Sequence, residues 1–155
     1  MPDIGLSLLG GGCAAAYQVG LPTCLWARGK KPKKIQGVSA GALNAAKLVE
    51  SDPQELHKIW LKIEENGSEY VFQSHIVSTF IRRLDFVYSS EGLDKLVRTD
   101  IDMKKVLASD IELEIVTWNR SKRRMEIFSN KSISGFDAEG SGKKRIIRHT
   151  VTDPD

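Results

Sequence analysis

Twice near its start the chain runs from a short apolar stretch into a small-residue turn and then into a helical pattern. No other feature constrains the fold as much. The first passage is Ile4 to Leu9, then Gly10-Gly11-Gly12, then Ala14 to Arg28; the second is Lys34 to Val38, then Ser39, then Ala40 through Val49. The first run is apolar without alternation, which reads as a strand buried on both faces, and such strands belong in a parallel sheet covered by helices. Strand, helix, strand, helix predicts a right-handed βαβ unit. The expected fold class is therefore α/β: three layers, with a mainly parallel sheet flanked by helices. At 155 residues and 41% hydrophobic content, one domain with a real core is expected.

The remaining pattern extends this reading. Pro22 falls inside the first helical stretch, where a kink or break is expected. Gly29 to Lys34 (GKKPKK) reads as a solvated connector. Asp52 and Pro53 open a further helix, as cap and first helical residue, which carries Leu56, Ile59, Trp60 and Ile63 at helical spacing. His75 to Arg83 reads as another helix. Ser89-Ser90-Glu91 starts the next, with Leu93, Leu96 and Val97 on its buried side. Beyond Asp110 the period changes to two: Leu113, Ile115 and Thr117 alternate with Glu112, Glu114 and Val116. Met125 to Ser129 follows a polar turn, so a β-hairpin is expected.

Composition excludes several classes. With 23 basic and 20 acidic residues, the net charge of +3 is far from a nucleic-acid-binding balance, though it suits an anionic membrane surface. Cys13 and Cys24, without a signal sequence, read as reduced thiols of a cytoplasmic protein. No run approaches the roughly 18 apolar residues of a membrane span, so any membrane contact is expected to be peripheral. No His/Cys/Asp/Glu spacing suggests a metal. His57, His75 and His149 read as surface histidines, and Cys13 as a small packing residue. Nothing in the sequence speaks to an oligomeric state.

The chemistry is concentrated in the two turns. Gly37 to Gly41 (GVSAG) matches G-x-S-x-G, with strand residues before it and a helix after it, the context of a nucleophile elbow. Ser39 would sit at a helix N-terminus, where partial positive charge favours an oxyanion. If the two strands are neighbours, the backbone N–H groups of Gly10, Gly11 and Gly12 would lie beside it. Such donors stabilise a tetrahedral oxyanion by roughly 3–4 kcal/mol each. The same glycine turn also satisfies the G-x-G-x-x-A dinucleotide fingerprint, Gly10 through Ala15. That reading wants an acid at the end of the second strand, where the chain has Gly37-Val38-Ser39. It also predicts NAD binding rather than serine-probe labelling.

Taken together, GGGCAAAYQVG and GVSAGALNAA resemble the start of a patatin-like phospholipase domain, and LEIVTWNRSKRRMEIFSN (Leu113 to Asn130) is similar to that family's central strand pair. The resemblance implies hydrolysis of a lipid or other ester by a Ser-Asp dyad, without metal or organic cofactor. Ser39 would be the nucleophile and Gly10 to Gly12 the oxyanion hole. The family's general base is an aspartate in a later D-G-G or D-G-A motif. No aspartate here is followed by Gly-Gly or Gly-Ala, and Asp153 and Asp155 lack the glycine turn. Residues 1–155 are therefore expected to be the N-terminal portion of such a domain, with the base outside them. Ala14 and Ala15 stand where the family usually has a basic residue and a glycine. The alternative expectation is a truncated or diverged, inactive relative with a lipid-binding or regulatory role.

Overall fold

The computed structural model describes residues 3–67, 70–71, 73–74, 88–89, 91–132 and 146–152. In chain order its elements are β1 (Gly5–Leu8), a 3₁₀ segment (Gly12–Val19), α1 (Gly20–Ala27), β2 (Lys34–Gly37), α2 (Ala40–Glu50) and α3 (Pro53–Asn66). There follow β3 (Gln73–Ser74), β4 (Tyr88–Ser89), α4 (Glu91–Asp100), α5 (Met103–Ala108), β5 (Glu112–Asn119), β6 (Arg124–Ser129) and β7 (Ile146–Thr150). Five strands form one sheet in the order β1-β2-β5-β6-β7, while β3 and β4 pair separately. Every neighbour in the main sheet is parallel except β5–β6. The fold is the expected α/β class, a mainly parallel sheet with flanking helices.

The core lies where one sheet face meets α2 and α3. Leu6, Leu8, Ile35 and Leu113 pack there with Ala45, Leu48 and Val49 of α2 and Leu56, Ile59, Trp60 and Ile63 of α3. The Asp52 carboxylate accepts the N–H groups of Gln54 and Glu55 at 2.9 and 3.0 Å, so α3 begins where its cap predicts. Pro22 does not break a helix. The change from 3₁₀ to α geometry comes at Gly20, and Pro22 occupies the first α-turn, where its missing N–H has no intrahelical partner to lose.

Several expectations are corrected. β1 is buried on one face only: Leu6 and Leu8 are covered, whereas Gly5 and Ser7 are exposed. Val97 is exposed, because α4 turns Leu96 into the core instead. α5, capped by Asp102, and β7 were not anticipated. The expected helix over His75 to Arg83 lies outside the described residues.

Glu114 is the largest correction, since strict alternation places it in solvent. Its side chain is buried on the opposite sheet face, receiving hydrogen bonds from Lys34 Nζ (2.8 Å), Gln36 Nε2 (2.9 Å) and Arg148 Nη1 (2.8 Å). Burial alone would raise its pKa, but hydrogen bonds from Lys34 and Gln36, with the charges of Lys34 and Arg148, hold it below its ordinary 4.5. A depressed carboxylate stabilises the fold above its unfolded-state pKa, and that contribution is lost as pH falls through the lower folded value. The melting temperature of the wild type is therefore expected to drop more steeply than that of Glu114→Gln between about pH 5 and pH 3. At neutral pH the variant should be the less stable of the two. Equal slopes on the acid limb would remove this role.

Candidate active site

The site is built at the C-terminal ends of β1 and β2, where two turns meet. Ser39 adopts φ 55° and ψ −129°, a strained conformation for a residue with a side chain. Its neighbours explain how the strain is held. Val38 N–H donates to Leu8 O at 3.2 Å, Gly41 N–H to Val38 O at 3.0 Å, and Ala42 N–H to Ser39 O at 2.9 Å. The flanking glycines are required by contact. A Cβ on Gly37 would lie 2.3 Å from Gly41 O, and one on Gly41 would lie 2.3 Å from Leu8 O. The turn can close against β1 only because both lack a side chain.

The glycine loop lies against this elbow. A Cβ on Gly10 would sit 2.9 Å from Ser39 Cβ and 3.4 Å from its Oγ. Gly11 (φ 154°) and Gly12 (φ 56°) hold backbone conformations that favour glycine. The N–H groups of Gly10 and Gly11 donate to no acceptor among the described residues. Ser39 Oγ likewise has no hydrogen-bond partner among them.

What fixes the loop is a chain of amides that the motif pattern does not reveal. Gln18 Nε2 donates to Leu9 O at 2.7 Å, on the near side of the loop. Asn44 Nδ2 donates to Ala15 O at 3.0 Å, on the far side, and to Gln18 Oε1 at 2.9 Å. Trp60 Nε1 completes the chain by donating to Asn44 Oδ1 at 2.9 Å. Asn44 is fully buried, and a buried amide deprived of a partner costs about 1–3 kcal/mol. The only advance signal for this clamp is a polar residue on the apolar side of α2, one turn after Ser39.

An apolar pocket of about 200 Å³ opens beside Ser39, and its lining includes Gly12, Leu43, Trp60, Val71, Leu93 and Leu96. Gly92 precedes Leu93 of this lining. A Cβ there would lie 2.2 Å from Tyr70 O, so its absence lets α4 approach the Tyr70–Val71 backbone. Cys13 is exposed and lines this pocket, contrary to the expected packing role. Cys24 is also an exposed free thiol. His57 is exposed on α3, as expected. His149 is half-buried in β7, stacked on Phe128 at 4.7 Å and 3.4 Å from a Glu126 oxygen. It is thus engaged elsewhere in the sheet. His75, Asp153 and Asp155 lie outside the described residues.

This arrangement defines an α/β domain that presents a serine on a strained strand-to-helix turn, next to a glycine loop and an apolar pocket. The family model for patatin-like phospholipase matches residues 6–148, and the chain belongs to that family. A search among curated proteins returns no match. Among the described residues no helix is long and apolar enough to cross a membrane.

Proposed function

We propose that this chain carries the nucleophile and oxyanion hole of a serine lipid acyl hydrolase. The observation that carries this reading is that Ser39 and Gly12 line the same apolar pocket. Membership of a lipid acyl hydrolase family supports it. Ser39 Oγ attacks the ester carbonyl, and the N–H groups of Gly10, Gly11 and Gly12 receive the negative charge that develops on the carbonyl oxygen. The acyl chain enters the pocket. The Ser39 proton passes to a base that the described residues do not place at Oγ, an aspartate in the family pattern. Collapse of the intermediate expels the alcohol, and water then releases the acid.

The pocket sets an expected chain length. An apolar cavity of about 150 Å³ accepts a six-carbon ring, so about 200 Å³ holds an acyl chain of roughly eight carbons. Along a series of p-nitrophenyl esters, kcat/KM should rise by about fourfold per methylene until the pocket is full, then level off or fall. Leu93→Trp, which fills the pocket, should lower the octanoate-to-acetate ratio about tenfold. A flat series would detach this pocket from the reaction. Labelling of Ser39 by a fluorophosphonate probe tests the nucleophile directly.

One observation favours a second reading. Ser39 Oγ lacks a hydrogen-bond partner among the described residues, as in a relative that binds lipid without turning it over. Quenching of Trp60 by a brominated fatty acid, with no ester hydrolysis and no probe labelling, would select that reading.

A further inference from the structure

The β5–β6 hairpin stands at the same end of the sheet as Ser39. β1, β2 and β5 are parallel, so the glycine loop, the elbow and the turn after β5 all follow strand C-termini. Gly37 is level with Ile115, and β5 continues to Asn119. The hairpin therefore projects about 13 Å past the end of β2, at about 3.3 Å per residue.

Its tip is both basic and apolar. Arg120, Lys122 and Arg123 are exposed and form no salt bridge among the described residues; Arg124 alone in this stretch is paired, with Glu126 at 2.8 Å. Just below the tip, Trp118 is directly opposite Met125, and Met125 opposite Ile146 of β7. Directly opposed residues share a sheet face. The three make one apolar row across three strands, exposed by 58%, 40% and 41%. Leu9 and Val38, the residues that leave β1 and β2, are exposed at the same end.

We infer that this hairpin tip is a docking surface for an anionic lipid bilayer, holding the mouth of the Ser39 pocket at the membrane. The chemistry is complementary on both counts. Basic side chains are drawn to the negative surface potential of anionic lipids, and tryptophan settles at the headgroup level with its ring against the acyl boundary. A tip with three cations and an apolar row matches that layered surface. Docking rests on the hydrolase reading for its purpose only, because vesicle binding is measured without turnover.

The test is co-sedimentation of the full chain with phosphatidylcholine vesicles, with and without phosphatidylserine. The wild type and Ser39→Ala should both bind the anionic vesicles, weaken as salt is raised, and bind neutral vesicles poorly. Removing each cation should cost about fivefold, so Arg120→Gln/Lys122→Gln/Arg123→Gln together should lose about a hundredfold. Trp118→Ser should weaken binding at high salt as well as low. Melting curves establish that the variants fold, and the single substitutions are read if the triple variant does not. Equal binding to neutral and anionic vesicles, no binding to either, or undiminished binding by folded cation variants would overturn the inference. So would preference for a single-stranded oligonucleotide over vesicles. A chain that docks but, with the general base supplied, hydrolyses nothing leaves the surface standing and removes the hydrolase reading. One that hydrolyses soluble esters but ignores vesicles does the reverse.

Discussion

Where the general base is present, Ser39→Ala is expected to reduce ester hydrolysis by about a thousandfold or more, because on the proposed reading Ser39 Oγ is the atom that takes the acyl group. The test is clean because the substitution leaves the backbone demand unchanged. Alanine meets the same steric cost as serine at φ 55° and ψ −129°, so the protein should fold and melt much as the wild type does. Ser39→Gly separates the two roles of the position. Glycine adopts that conformation without strain, and its melting temperature should rise while activity is lost just as completely. Strain held at the elbow and reactivity at Oγ would then be distinguished by one pair of variants. Hydrolysis that survives in Ser39→Ala at the wild-type rate would remove Ser39 from the mechanism.

Gly41→Ala is expected to have the largest effect on stability. The added Cβ would lie 2.3 Å from Leu8 O, 2.6 Å from Leu8 C and 2.6 Å from Leu9 O, all backbone atoms that cannot swing away. Relief requires β1 and α2 to separate, opening the core between Leu8 and the α2 side chains. A loss of about 3–5 kcal/mol is expected, a large share of the 5–15 kcal/mol typical of a folded domain. For a chain of this length that corresponds to a melting temperature lower by about 10 °C or more. Gly5→Ala is the control. Nothing lies within 4 Å of its added Cβ, and its effect should stay within about 0.5 kcal/mol. If both variants melt alike, the close approach of α2 to β1 is not what the elbow glycines serve.

The parts of the molecule legible in the sequence are those determined by near neighbours. The Asp52 cap, the helical spacing of Leu56, Ile59 and Trp60, and the alternation of β5 depend on residues a few positions apart. The elbow was legible for the same reason, since strand, turn and helix are contiguous from Lys34 to Glu50. What escaped depends on partners brought together by the sheet. Glu114 reads as a solvent-facing residue until register sets Lys34, Gln36 and Arg148 around it. β7 is short, and its pairing with β6 lies across a long connection. Asn44 meets Gln18, 26 positions away, and Trp60, 16 positions away, distances at which no local period can signal a contact. The glycine loop was thus readable as a motif, while the means by which it is held was not.

That means of holding has a chemical consequence. The loop's ends at Leu9 and Ala15 are fastened through two carboxamides and an indole, none of which gains or loses a proton across the range in which proteins stay folded. A fastening made of an ion pair would instead be loosened by counter-ions and by acid. Among the described residues the loop carries no ion pair. The fastening at Leu9 and Ala15 is therefore expected to hold across changes of ionic strength and pH that would loosen a charged tie.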